Sequence, residues 1–378
     1  MPIRTVIVCE AQVPFVEGGA EYHVRELVRQ LRAHGYRTAL VSVPFKWYPK
    51  TEILPHAAAW RLLDLSESNG MPVDLVIGTK FPSYFARHPR KVTWLIHQYR
   101  AAYELAGTPY SDFDHTEQDV GLRQTLMDLD RRMLAECRAV FSNARNTADR
   151  LARYNGLAAE PLYHPPRLAD RFTSGPYGDY VLSVGRVESV KRVDLAVRAT
   201  ALLPPGLRLV VAGDGTQRGN TERLARELGV ADRVTFLGAV SDDEVVRLYR
   251  EALCVVYAPF DEDFGYVTLE AMIAGKPVVT CRDSGGPLEF VVDGETVGWL
   301  LVQQPAQVLL DAAQASFLQQ VQRTVVLAGL VAAGLALVAG VAISQVIARR
   351  LGRLTSAAQG VAAGKLGERV ALPAGQAA

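Results

Sequence analysis

The 378-residue sequence has little cysteine: Cys9, Cys137, Cys254 and Cys281 stand far apart, and no two have C-x-x-C or metal-ligand spacing. No cysteine metal site or redox pair is therefore signalled by spacing. Three of the four sit in apolar, strand-like runs and read as reduced buried thiols, which points to a reducing compartment. Charge of one sign is also lacking. Lys+Arg is 41 and Asp+Glu is 40, a net charge of +1, so there is no electrostatic case for nucleic acid. The opening "MPIRTVIVCE" has an apolar run too short for a signal-peptide core and no small-residue cleavage site after it, so the first domain is expected to begin life in the cytoplasm. Neither a G-x-G-x-x-G fingerprint nor a P-loop occurs. What is present is 49% apolar and 21% charged residues, enough to bury a sizeable core and unlike a disordered chain.

Short β-branched runs alternate with helical patterns. "TVIVCE", "YRTALVSV", "DLVIGT", "KVTWLIH" and "AVFSN" read as strands of a first domain. Between the first two, Val24, Leu27, Val28 and Leu31 recur at helical spacing and Gly35 closes the helix. Near-continuous apolar strands separated by helices predict a parallel sheet covered on both faces. "YHPPRLADRFTSGPYGD" (163–179) is rich in Pro and Gly and reads as a linker. The alternation restarts with "YVLSVG", "LRLVVAG", "RVTFLG", "CVVYAP" and "KPVVTC". The expected architecture is α/β, with two doubly wound domains at about 1–170 and 171–296.

Several stretches could carry chemistry. Gly18 and Gly19 lie between the first strand and its helix, where glycines let the backbone approach an anion or simply make a turn. Arg186 follows a strand end and Lys191 lies near a helix start; both can face the crevice above the strands and neutralise a diphosphate, or remain solvated surface cations. In "FDEDFGYVTLEAMIAGKPVV", Glu262 stands in a loop. Gly265, Tyr266 and Val267 open a helix whose N–H groups can meet phosphate or sugar oxygens. Glu270, in the first turns, can accept from paired ribose hydroxyls or cap its own helix. The two carboxylates also admit a glycosidase pair, but the nearby cations and glycine turns fit a nucleotide sugar better. Ser284, Gly285, Gly286 and Glu289 form another glycine turn at a helix start, and His97 ends a first-domain strand at the cleft.

Taken in order, "EGGAE", "SVGRVESVK", "VAGDG", "VTFLGAVSDDEVVRLY" and "DEDFGYVTLEAMIAGKPVV…SGGPLEFVVDG" resemble the retaining family-4 (group 1) glycosyltransferases of GT-B fold over residues 1–296. The Glu-x7-Glu signature of that family matches Glu262 and Glu270. The resemblance implies two Rossmann-like domains facing a cleft, with the second binding most of a nucleotide-diphosphate sugar. Arg186 and Lys191 match the diphosphate-binding pair, Glu262 the glutamate near the donor sugar, and Glu270 the ribose glutamate. Gly18 and Gly19 match the loop that closes over the donor, and His97 a histidine near the sugar. It implies no metal and no further cofactor, and front-side displacement with retention. "LIHQYRAAYEL" is similar to bacterial transferases of surface polysaccharides, which implies a mannose- or glucose-type hexose and a glycan or lipid-linked acceptor.

Past Gly294 the text departs from that pattern, with Val297 as an extra residue. Between Arg323 and Arg349 lie 25 uncharged residues, about 37 Å as a helix and enough for a bilayer core. This part resembles a sensor histidine kinase: a connector at 297–324, a transmembrane helix at 325–347 and a partial HAMP linker at 348–378. It implies membrane attachment, a possible dimer through the tail and, as an alternative function, a membrane-anchored signalling fragment. Arg349, Arg350 and Arg353 would place the tail in the cytoplasm and the enzyme outside, against the cytoplasmic supply of nucleotide sugars. The expectation is a bacterial inner-membrane protein with a cytoplasmic enzyme domain, or a cytoplasmic one if the tail is no span. A fused junction near Gly294–Val297 accounts for both departures.

Overall fold

The computed structural model describes residues 3–292 and, as backbone, the short strand 295–296. The first lobe is a six-stranded parallel sheet. Its strands are β1 (Thr5–Gln12), β2 (Arg37–Pro44), β3 (Leu75–Gly78), β4 (Lys91–Leu95), β5 (Val140–Ser142) and β6 (Glu160–Pro161), in the order β2-β1-β3-β4-β5-β6. The second lobe is a five-stranded parallel sheet of β7 (Tyr180–Val184), β8 (Arg208–Ala212), β9 (Val234–Gly238), β10 (Cys254–Val256) and β11 (Val278–Val279), in the order β9-β8-β7-β10-β11. Each strand expected from the sequence is present, most of them trimmed by one or more residues where the chain turns away.

Alternation along each strand divides its side chains between two cores. On β1, Val6 and Val8 pack with Val24 and Val28 of α1 (Gly19–Ala33), while Ile7, Cys9 and Ala11 face the opposite core with Trp60, Tyr84 and Leu126. That second core is covered by α2 (Ile53–Leu62) and α3 (Glu117–Ala135). On β8, Leu209 and Val211 meet Val193 and Val197 of α5 (Val193–Thr200), and Val210 and Ala212 turn to the core under α8 (Tyr266–Ile273). This two-sided burial is why the strands read as apolar runs without polar alternation.

The order reverses beside β1 in the first sheet and between β7 and β10 in the second. Doubly wound sheets bind ligands outside the carboxyl ends of their strands at such points. Glycine loops mark both. At the second, a methyl group on Gly213 would lie 1.9 Å from the Gly185 carbonyl oxygen, so the loops after β7 and β8 close on each other.

All four cysteines are free thiols, and burial pushes Cys9 up to about 12. Among the described residues no helix is long and apolar enough to cross a membrane. The expected span at 325–347, the HAMP-like tail and the tail-mediated dimer lie outside the described residues.

Candidate functional site

Arg186, just after β7, and Lys191, in a short 3-10 turn at Ser189–Lys191, line one small pocket with Tyr257 and Ala258 beyond β10. This is the crevice at the reversal of the second sheet. Arg186 is exposed, its carbonyl accepting from Glu188 N–H at 3.0 Å, and its guanidinium has no hydrogen bond or ion pair among the described residues. Lys191 Nζ lies 2.5 Å from Glu262 Oε2 and 3.3 Å from the Tyr257 hydroxyl. The structure therefore joins the predicted cation to the predicted carboxylate. A larger cavity of about 450 Å³ lies at the other end of this sheet, beside Asp179 and Arg208 at strand starts and Arg247 of the helix that follows Ser241, away from the crevice.

The loop carrying Glu262 is held along its backbone. Its N–H donates to the Ser284 carbonyl at 2.8 Å, and its carbonyl accepts from Gly286 N–H at 2.7 Å. Ser284, Gly285 and Gly286 thus act as the second rail of the loop, which gives the predicted glycine turn its place. Arg192, next to Lys191, donates to the carbonyls of Ala258 and Pro259, both at 2.8 Å, and pairs with Asp283. These bonds fix the strand-end loops against one another.

Gly265 caps α8, with Tyr266 and Val267 in its first turn; Val267 is buried in the core. Glu270 is half-buried and accepts from the Tyr249 hydroxyl at 2.7 Å. Burial raises its carboxyl above the usual range, against the pull of Tyr249 and Arg167. It does not cap its own helix; its bond runs to the neighbouring helix α7 (Asp242–Glu251).

From the first lobe, the Gly18–Gly19 turn meets the start of α8. A methyl group on Gly19 would stand 3.0 Å from the Tyr266 ring, which is why a side chain is unwelcome there. Gly18 N–H donates to Glu21 Oε2 at 2.8 Å, and Glu21 pairs with Lys80 in the buried floor of the turn. His97, two residues past β4, is half-buried and donates from Nδ1 to the Gln98 carbonyl at 2.7 Å, leaving Nε2 as the open acceptor. Burial pushes its imidazole down, while Asp263 pulls the other way.

The sequence reading missed the seam between the lobes. Arg100 and Arg150 of the first lobe reach Asp261 and Asp263, on either side of Glu262. Asn146 donates to the Glu262 carbonyl at 2.8 Å. Glu289 accepts from the N–H groups of Arg145 and Asn146 at the start of α4 (Arg145–Asn155), at 3.0 and 2.7 Å. Only the acidic triplet "DED" and the Arg100–Glu104 spacing hinted at these contacts, and neither names a partner 160 residues away.

Two doubly wound lobes facing each other, with the site between, define the GT-B fold. Solved structures share it: sucrose-phosphate synthase from Thermosynechococcus elongatus (TM-score 0.58, 19% identity, 76% of this chain and 83% of that one) and HepE of Anabaena in complex with UDP and glucose (TM-score 0.54, 18% identity, 77% and 84%). Residues 170–322 match the family of glycosyl transferases group 1. That match runs beyond the point near Gly294–Val297 where the sequence reading placed a junction. The chain is similar to a D-inositol 3-phosphate glycosyltransferase of Mycolicibacterium smegmatis, 38% identical over a 130-residue alignment that covers 31% of this chain and 30% of that protein. The chain spans less than half the length of the curated relatives it matches.

Proposed function

We propose that the protein is a retaining glycosyltransferase that moves a hexose from a nucleotide-diphosphate sugar to a hydroxyl-bearing acceptor. The observation that carries this reading is the Lys191–Glu262 pair at the reversal of the second sheet, beside Arg186. Lys191 and Arg186 would take the diphosphate, and the first N–H groups of α8, from Gly265 through Val267, would add donors. Glu270 would accept from ribose hydroxyls, its burial strengthening each such bond. Glu262, freed from Lys191 as the phosphates arrive, would hold the hexose, with His97 Nε2 accepting from a sugar hydroxyl. Gly18 and Gly19 would close over the donor from the first lobe.

In the proposed step, the bond from the anomeric carbon to the diphosphate oxygen breaks as the acceptor oxygen bonds to the same face of that carbon. The acceptor's proton passes to the departing diphosphate oxygen. Positive charge from Arg186 and Lys191 stabilises the leaving group, so the step is proposed to run without a metal. The hexose is proposed as mannose- or glucose-type and the acceptor as a glycan or lipid-linked sugar. The named relatives add an inositol phosphate to the acceptors worth testing, and a UDP-bound neighbour puts UDP among the nucleoside diphosphates to test.

The test is a panel of GDP- and UDP-hexoses with the full chain, measuring calorimetric binding and sugar release or transfer. Glu262→Ala and Lys191→Ala are each expected to lower turnover about 10²–10³-fold, with Lys191→Ala also weakening nucleotide binding. Failure of the full chain to bind any nucleoside diphosphate or its sugar would end this reading.

A further inference from the structure

Asp261, immediately before Glu262, adopts φ +40°, a left-handed backbone angle that costs any side-chain-bearing residue more than glycine, though aspartate less than most. Its N–H donates to the Asp283 carbonyl of its own lobe at 2.8 Å, while the side chains that reach its carbonyl and carboxylate come from the first lobe. Arg100 Nη2 donates to its carbonyl oxygen at 2.5 Å. Arg150 Nη2 donates to the same oxygen and to the Asp261 carboxylate, both at 3.2 Å. Asn146 Nδ2 donates to the carboxylate and to the next carbonyl, that of Glu262, both at 2.8 Å. One residue beyond Glu262, Asp263 pairs with Arg150 and lies 3.6 Å from Arg100. Glu104 completes the cluster, 2.5 Å from Arg100 Nε and 3.2 Å from Arg150 Nε. The two arginine side chains are 15% and 3% exposed, so these contacts are made out of water and in fixed geometry.

We propose that Arg100, Arg150 and Asn146 are positioning residues that set Glu262 by imposing the turn at Asp261, so that the glutamate, tethered within its own lobe by Ser284, Gly286 and Lys191, reaches its working geometry only while the first lobe is docked. This rests on the donor-site reading above. The diphosphate contacts at Arg186 and Lys191 belong to the second lobe alone, and none of the three side chains reaches them. Donor binding and Glu262 alignment are therefore separable: the second lobe captures the nucleotide, and lobe docking completes the site. An enzyme built this way holds back reaction with water until the lobes close.

The test uses the full chain with Arg150→Met, Arg100→Met, Asn146→Ala, and each combined with Asp261→Gly, since glycine adopts the left-handed turn without strain. Amide exchange of residues 260–263 is expected to rise at least tenfold in each single variant. Nucleoside diphosphate affinity is expected to stay within about threefold. With a donor in hand, kcat is expected to fall at least 30-fold with little change in donor KM, and Asp261→Gly to return at least a third of it. Asn146→Ala, which removes no buried charge, serves if an arginine variant does not fold. Unchanged exchange at 260–263 in all folded variants overturns the proposal. So does a loss of kcat and of nucleotide affinity together without recovery by Asp261→Gly, which a merely structural role predicts. If the wild-type chain binds no nucleotide while exchange rises as expected, the donor-site reading fails and the coupling of the turn to the first lobe stands.

Discussion

His164 lies in the linker between the lobes, its Nδ1 2.9 Å from the Tyr266 hydroxyl and its ring 4.2 Å from His23 and 4.6 Å from Phe264, centroid to centroid. Burial pushes its imidazole down to about 4, and burial with His164 as neighbour also pushes His23 down. An unfolded imidazole titrates near 6.5. Between these values the unfolded chain binds a proton that the folded one refuses, so stability falls as pH drops through the window and returns as it rises. His164 alone is expected to remove about 2 kcal/mol between pH 7 and pH 5. His164→Gln should flatten that dependence, read from urea unfolding at both pH values; an unaltered slope would show that protons enter elsewhere. Nothing in the local pattern singles out this histidine. It stands in a stretch legible only as a linker, and its importance comes from Tyr266, a hundred residues on.

At the scale of elements, the second sheet works because its strand ends can approach closely. Gly213 has φ +143° and donates its N–H to the Gly238 carbonyl at 2.8 Å, while Gly185 N–H reaches the Ala212 carbonyl at 3.0 Å. These bonds place Arg186 at the mouth of the crevice. Gly213→Ala would drive a methyl group into backbone that cannot yield, and the conformation itself disfavours alanine. A loss of about 2–3 kcal/mol is expected, with a weaker hold on nucleoside diphosphate because the Arg186 turn must shift. Thermal unfolding and calorimetric titration of one sample check both; a variant with wild-type values in each would show that the turn has slack. The motif "VAGDG" announced a tight turn in the sequence. That the turn abuts Gly185 needed the parallel register of β7 and β8.

For the whole molecule, the seam between lobes joins an apolar patch, Ala144 against Phe264, Leu269 and Phe290, to a buried ionic cluster. Burial works to raise the Asp263 carboxyl, but Arg100 and Arg150 override it and hold the group near 2, well below its usual range. Asp263 therefore adds stability at neutral pH that is lost as pH falls from about 4 towards 2. Removing its charge leaves two buried guanidinium groups short of a partner. Asp263→Asn is expected to cost about 3–5 kcal/mol, seen as a lower midpoint in scanning calorimetry at pH 7, with the gap to wild type closing near pH 2–3. A gap that stays constant with pH would mean the loss is one of packing and not of charge. High salt should change the difference little, because the seam is shielded from mobile ions.

Much of the site was legible along the chain because its parts sit at strand ends, and strand ends announce themselves. A parallel sheet buries both faces, so its strands are apolar runs. The residues that follow them, Gly18, Arg186, Lys191 and Glu262, fall of necessity at the carboxyl edge where ligands bind. The local order of residues determined the two-lobed architecture and placed Glu262 and Lys191 at the same strand-end edge for that reason. It could not determine what holds that glutamate. Arg100, Asn146 and Arg150 are ordinary polar residues in helical and loop sequence. Only the docking of one lobe on the other removes water from them and turns their charges towards Asp261 and Asp263. The tertiary structure decided those pairings because an arginine's partner is chosen by proximity in space, which no local pattern encodes.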